Sequence, residues 1–468
     1  CIYSPDNMSD HVPLSVNFEI SIERNACPTR MQAKLLWARA SAQCIQQYQN
    51  SLNDKLNAIE THRDILECND HLCESDDHRS QLQIYHDQII DACLEASECI
   101  PRNTNRTKNI PGWNRFVKPL KKESLFWHDL WVSNGRPQQG VVADVMRFTR
   151  KKYHKAIKEV KRSETALRFA NMAEQFDSGR NQFWTDVKKM RGRACTLPSN
   201  VAGIVGDEAI AEMFKNKYEE LYNSVGFPDD EALSTWEQIQ TNAVTHTGIC
   251  DSHRISNDDV ERAIRRMKKN KHDGKRGLYS DHLKNSSPSL YVQLGRLFNG
   301  CLLHGFAPTD FGLSVLLPLP KSSRKSKSDP NNYRSIALSS ILNKVMDTII
   351  IRKCRVELST SDYQFGFKEK HSTIQCSFVV NEVTKYYNYR ESNVYAALLD
   401  ASKAFDRVSY SRLFRLVLDR GLCPLVARFL LSSYTNQKAN VRWGMSYSRS
   451  FSMTNGVKQG GVLSPVLF

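Results

Sequence analysis

Val394-Tyr-Ala-Ala-Leu-Leu-Asp400-Ala-Ser-Lys-Ala-Phe405-Asp406-Arg-Val408 is an apolar run that ends in an aspartate and then turns. Six consecutive residues without charge, Val394–Leu399, predict a strand buried on both faces at the centre of a sheet. A carboxylate at the mouth of such a strand has two readings. It can hold a hard divalent cation together with substrate phosphates, or it can cap the helix that follows. Phe405 has two readings as well: a ring facing a nucleotide sugar, or core packing.

Outward from that run, the pattern beyond Asn270 is short strands alternating with helices. Val315–Leu319 reads as a strand stopped by Pro318 and Pro320. A polar, basic loop follows over Lys321–Asp329, and Ser340–Arg355 reads as a helix. Lys321 and Arg334 flank that loop, and two cations bracketing a loop suit a triphosphate as well as plain solvent. Further on, Thr454-Asn-Gly-Val-Lys458-Gln459-Gly460-Gly461-Val-Leu-Ser464-Pro465 places paired glycines, which let a backbone approach a ligand, next to an amide able to bond a base or sugar. Gln364-Phe-Gly366-Phe-Lys-Glu-Lys-His371-Ser372-Thr373 reads as a glycine turn before a capped helix.

These four stretches, in this order, resemble the reverse transcriptases of LINE-type (non-LTR) retrotransposons, the jockey-like group included. That family shows P-x-P-K, N-Y-R-P-I-S, Q-x-G-F-R-x-x-x-S-T, D-x-x-x-A-F-D and G-V-x-Q-G-x-x-L-S-P blocks. The resemblance covers residues 315–468 and implies an RNA-directed DNA polymerase. It makes Asp400 a catalytic, metal-binding aspartate working with Mg2+ (or Mn2+), and Phe405 the gate at the sugar 2′ position. Gln459 and Gly460 are then expected near the incoming dNTP and the template, and Lys321 and Arg334 in the fingers against the triphosphate. Asp406 is given a structural role. Residues 258–284 match the family's pre-fingers region more loosely: Lys275 and Arg276 stand for the usual Pro and Asp, and Ser335 stands where Pro is usual. The family's further pair of metal-binding aspartates is not in the sequence, so the chain as given is expected to be inactive as a polymerase. The alternative is a non-catalytic RNA-binding relic.

Ser9-Asp10-His11, followed by an expected strand at Val12–Ile20, resembles the closing motif of the endonuclease that precedes the polymerase in these elements. Asp10 would orient His11, and no cleavage by this chain is expected.

The remainder is organised by charge. The net charge is +15, and residues 102–162 hold 16 Lys/Arg against 4 Asp/Glu. Aromatic residues interleave that segment, Trp113 among them. With Lys151, Lys152, Lys155 and Lys158 it reads as an RNA-binding stretch, rings for bases and cations for phosphates. A helix is expected over Ala143–Ala173, another over Glu208–Tyr222, a hairpin within 195–206, a loop over Gly226–Glu237, and a helix opened by a capping box at Ser256 and Asp259. Cys68, His71, Cys73 and His78 have the spacing C-x2-H-x-C-x4-H, unlike the usual zinc patterns, and read as a chance cluster. Thirteen scattered cysteines fit a reducing setting, hence an intracellular site, nucleus or cytoplasm, and no stretch is apolar enough to span a membrane.

The fold class expected is α+β. It comprises an endonuclease remnant at 1–20, a helical, basic region at 21–255, pre-fingers helices at 256–300, and fingers with a partial palm at 301–468, built on a mainly antiparallel sheet. The partners expected are an RNA template, a DNA primer or target, and dNTP.

Overall fold

The computed structural model describes residues 35–60, 63–66, 68, 70, 73–102, 112–164, 166–167, 197–225, 229–244, 253–322, 324–368 and 370–468. Asp10, His11 and the expected strand Val12–Ile20 lie outside the described residues, as does His71. The chain divides into two compact units: residues 1–102 with 198–468, and residues 103–197.

The sheet of the larger unit is built around β3 (Leu313–Pro320). It pairs antiparallel with β4 (Tyr333–Ser339) and parallel with β5 (Lys438–Trp443). β5 in turn carries β6 (Ser446–Tyr447) and β7 (Phe451–Ser452), both antiparallel. The short hairpin expected near 195–206 is β1 (Asn200–Val201) with β2 (Ile204–Val205). The sheet is thus mainly antiparallel with one parallel contact. β3 runs through both prolines rather than stopping at them. β5 covers β3 only as far as Leu316, so beyond that point β3 is an edge on one side. The N–H of Lys321 bonds the Asn332 carbonyl across β4, so residues of the opposite parity, Pro318 and Pro320, turn their missing N–H toward the uncovered edge, where proline is tolerated.

Tyr333, Ser335, Ala337 and Ser339 point inward from β4. The helix Asp207–Tyr222 packs here, opened by two acidic residues that suit the positive helix start. Ile210, Phe214, Tyr218 and Tyr222 recur every fourth position and are buried, so they form one row on one face. Phe214 stacks on Trp443 at 5.2 Å and meets Tyr333 edge-on at 5.0 Å. A larger core gathers the helices Ala42–Asn57, Asp76–Ala96, Pro288–Leu303, Ile341–Lys353, Tyr410–Asp419 and Pro424–Thr435. The helix Asn257–Arg266 opens with the expected capping box, Ser256 and Asp259 bonding each other's backbone.

Two expectations are corrected. Gly226–Glu237 is not a loop, because Asp229–Val244 is a helix. Its acidic first residues follow Pro228, and Thr235 and Ile239 are buried one turn apart. Val394–Leu399 is not a buried central strand. It has no ladder partner, and Leu398 and Leu399 are 97% and 99% exposed. An extended apolar segment becomes a strand only against a neighbour that takes its backbone hydrogen bonds. The preceding helix, Thr373–Tyr389, buries no side chain either.

In the smaller unit a π turn, Trp113–Val117, leads into the helix Lys118–Ser133, which packs on Val141–Arg162. The long helix buries Ala143, Met146, Thr149 and Val160. Its expected extension beyond residue 167 lies outside the described residues.

Candidate nucleic-acid and nucleotide site

Three stretches far apart in the sequence meet on the carboxylate of Asp406. The first is the 3₁₀ turn Phe405–Arg407, which buries Asp406. The second is the glycine-rich segment after β7: the Gln459 side-chain amide donates to both Asp406 oxygens, at 3.0 and 3.1 Å. The third is the end of the Asp207–Tyr222 helix, whose Tyr222 hydroxyl donates to Asp406 Oδ1 at 2.9 Å. With its proton so used, Tyr222 accepts from the Ser335 hydroxyl of β4, 3.1 Å away. Ser335, where proline is usual in the resembled family, thus supplies a hydroxyl to the network.

Backbone bonds lock the same junction. The Ala337 N–H donates to the Gln459 carbonyl at 2.8 Å, Val457 N–H to Phe405 O at 2.7 Å, and Gly456 N–H to Val408 O at 2.8 Å. Asn455 donates to the Asp406 carbonyl at 2.7 Å. Gly456 has φ +88°, and a Cβ there would stand 2.7 Å from the Asp406 carbonyl oxygen. Burial pushes the Asp406 carboxyl above its ordinary range, against the pull of Tyr222, Gln459, Lys403 and Lys321. Asp406 is therefore a structural hub, in keeping with the role the sequence suggested for it.

Beside the hub lies a cavity of about 410 Å³ between Lys217, Glu220 and Leu221 of the Asp207–Tyr222 helix, Pro330 and Asn331, and Lys403 and Arg407. The Lys217 ammonium donates to Asn331 Oδ1 at 2.9 Å. It is held below its ordinary value by burial, then by the charges of Lys321 and Lys403. Lys321 and Lys403 both lie within electrostatic reach of Lys217, which makes this the cationic side of the junction, suited to phosphate. Lys321 itself donates to the Asn331 carbonyl at 3.1 Å.

The remaining expected residues are placed as follows. Arg334 is exposed on β4, opposite Leu319. Phe405 is half-buried, stacked on Phe468 at 4.7 Å and edge-on to Phe367 at 5.8 Å. Gly460 is exposed with φ +103°. Gln459 faces the hub with its amide, whose nitrogen is committed to Asp406. Asp400 is exposed and does not close a strand. Among the described residues it joins no cluster of carboxylate, imidazole or thiol ligands. Chemistry with two metals needs several carboxylates converging, so Asp400 with its described surroundings does not make up a two-metal site.

A second junction is also buried. Asp347 stands within the field of Lys458 and Lys344, burial raises its carboxyl to about 7, and Lys458 is pushed down to about 8 by burial. The Lys458 ammonium donates to the Phe311 carbonyl at 2.9 Å. In the pre-fingers turn, Arg276 is ion-paired to Asp87 at 2.7 Å and Asp310 at 3.0 Å.

In the smaller unit, Lys151, Lys152, Lys155 and Lys158 are all exposed on the Val141–Arg162 helix, and Trp113 is half-buried. Phe148 is 65% exposed on the same helix, one turn before Lys151 and Lys152, and Phe126 is 62% exposed on the neighbouring helix.

Sequence reasoning missed Tyr222 as a functional partner, although the fourfold spacing of its row was there to be read. It also missed His304, which joins Cys68, Cys73 and His78: their ligand atoms all lie within 4.8 Å of one another. The fourth group comes from the far end of another helix.

Residues 320–468 match the family described as reverse transcriptase (RNA-dependent DNA polymerase). Over 329 residues the chain is 25% identical to a probable RNA-directed DNA polymerase from transposon BS of Drosophila melanogaster, covering 68% of this chain and 35% of that protein. It is 24% identical over 331 residues to the RNA-directed DNA polymerase from mobile element jockey of Drosophila funebris, covering 67% and 35%. It is 26% identical over 182 residues to a retrovirus-related Pol polyprotein from the type-1 retrotransposable element R2 of Popillia japonica, covering 39% and 24%. The chain thus spans about a third or less of the length of these relatives.

Proposed function

We propose that this chain, whose residues 320–468 are a reverse transcriptase (RNA-dependent DNA polymerase) domain of the LINE-type, non-LTR retrotransposon kind, supplies the fingers and part of the palm for RNA-templated DNA synthesis. Its substrates are an RNA template, a DNA primer or target, and dNTP. The observation that carries this reading is the convergence of β4, the Phe405–Arg407 turn and the Gln459 segment on Asp406, next to the cationic cavity of Lys217, Lys403 and Arg407. Phosphates of the nucleotide or primer lie against those cations and Lys321, while the Asp406 network fixes the turn that presents Phe405.

Reverse transcriptases work with divalent metal ions, and magnesium is the ion proposed here, met by Asp400. A lone exposed carboxylate takes such an ion only together with substrate phosphates. The 468-residue chain by itself is therefore proposed not to extend a primer, as Asp400 belongs to no group of three or more ligand side chains among the described residues. None of the nine described cysteines is in a disulfide, which supports work inside the cell, in nucleus or cytoplasm. Among the described residues no helix is long and apolar enough to cross a membrane.

The test is fluorescence anisotropy with an RNA–DNA primer–template. Binding is expected, and Lys321→Glu with Lys403→Glu weakens it at least tenfold. Unchanged affinity in that double variant removes the cationic side from the reading. Primer extension by the unmodified chain, lost in Asp400→Ala, overturns the proposed inactivity.

A further inference from the structure

We propose that Cys68, Cys73, His78 and His304 form a structural zinc site that fastens the start of the Asp76–Ala96 helix to the end of the Pro288–Leu303 helix. The four ligand atoms, two sulfurs and two ring nitrogens, lie within 4.8 Å of one another. In a tetrahedral zinc site, with Zn–S about 2.3 Å and Zn–N about 2.0 Å, neighbouring ligand atoms stand roughly 3.3–3.8 Å apart. Cys73 Sγ and His78 Nδ1 are already 3.4 Å apart.

His304 points to the ligand independently. Its side chain is fully buried. Its Nε2 lies 2.8 Å from the Ile65 carbonyl. A carbonyl only accepts, so Nε2 carries the proton and Nδ1 holds the lone pair. That Nδ1 is buried and has no hydrogen-bond partner. A ring whose second nitrogen donates to a backbone carbonyl is the arrangement that orients metal-bound histidines. The His78 and His304 rings stand edge to face, centroids 5.0 Å apart, as two imidazoles on different vertices of one ion do.

The donor set chooses the metal. Two thiolates and two imidazoles in a compact group select a borderline-soft ion of tetrahedral habit, which is zinc. Four protein ligands leave no open position, so the site is structural rather than catalytic. Two thiolates neutralise the dication. The two helices already touch at Gly300, where an added Cβ would stand 2.8 Å from Leu82 Cδ2. Cys68 and Cys73 precede Ser75, whose hydroxyl accepts from the His78 N–H at the helix start. The ion therefore ties the start of that helix to His304.

The test is metal analysis of the whole chain, purified under reducing conditions and dialysed with zinc or cobalt. One equivalent of zinc per chain is expected. The cobalt form is expected to show thiolate-to-cobalt absorption and intense tetrahedral bands. His304→Ala and Cys73→Ser fall from one equivalent to none, while Cys376→Ser, at an exposed thiol, keeps it. Should a ligand variant fail to fold, the cobalt spectrum of the unmodified chain decides alone. A weak octahedral spectrum, no retained zinc, a full equivalent kept by His304→Ala, or Cys68 and Cys73 joined as a disulfide overturns the proposal.

Discussion

Gln459 and Asp406 are joined by a bifurcated bond, one side-chain N–H group reaching both carboxylate oxygens at 3.0 and 3.1 Å. The two residues come from different sequence blocks, so this contact holds one block in register with the other. Asp400, six positions before Asp406, is exposed. Removing each carboxylate therefore has a different consequence. Asp406→Ala strips the acceptor from Gln459 and from the buried Tyr222, and unsatisfied buried groups cost about 1–3 kcal/mol. Asp400→Ala touches nothing buried and stays within about 0.5 kcal/mol. Urea unfolding of the two variants checks the contrast; equal losses would show Asp400 to be held in a contact.

Gly456 is the tightest backbone approach at this junction. With φ +88° and a Cβ that would meet both the Asp406 carbonyl and the Tyr222 ring, Gly456→Ala combines left-handed strain with overlap. Gly421 has φ +79° and open space around its would-be Cβ, so Gly421→Ala carries the strain alone, about 1 kcal/mol. Gly456→Ala is expected to lose at least about 2 kcal/mol, since overpacking adds about 1–3 kcal/mol. Thermal unfolding of both variants gives the difference, and equal shifts would mean the backbone relaxes freely.

How much of this was legible beforehand depended on whether the deciding contact was local. The capping box of Ser256 and Asp259, the Asp207–Tyr222 helix and the hairpin at Asn200–Val205 are local, and their residues announce them. Val394–Leu399 carried strand-forming residues, but a strand needs a neighbour, and neighbours are not written in a segment's own composition. The Asp229–Val244 helix was obscured by the Gly226–Phe–Pro opening, although Trp236 and Ile239 follow at helical spacing. Tyr222 and His304 meet residues remote in sequence, Asp406 for the one and Cys68, Cys73 and His78 for the other, and only folding brings them together. The block order of the polymerase-like motifs could be read without any of this, because it is a property of the sequence itself.

The Asp347–Lys458 junction predicts a pH dependence. Burial raises the Asp347 carboxyl from 3.8 in the unfolded chain to about 7 when folded. The folded state then binds the proton more tightly, so Asp347 contributes stability that is fully present below about pH 4 and lost as the pH rises to about 7. The lowered Asp87 and Asp259 carboxyls, both at about 2, change stability below that window. Urea midpoints between pH 4.5 and 7 should fall less steeply for Asp347→Asn than for the unmodified chain. Parallel curves would place the titration elsewhere.

The smaller unit offers the last test. Lys151, Lys152, Lys155 and Lys158 are exposed along one helix, with Phe148 exposed one turn before them and Phe126 exposed on the neighbouring helix. If the cations meet phosphates, each contact releases about 0.7 counterions from single-stranded RNA, and affinity falls with salt accordingly. Replacing the four lysines with alanine should flatten the slope of log K against log salt by roughly 3 and weaken binding at low salt. Phe148→Ala should act differently: a lost base stack weakens binding by about 1–3 kcal/mol while leaving the salt slope unchanged. Filter binding at several salt concentrations separates the two terms. A slope unmoved by the lysine changes would show that RNA, if bound, is held elsewhere on the chain.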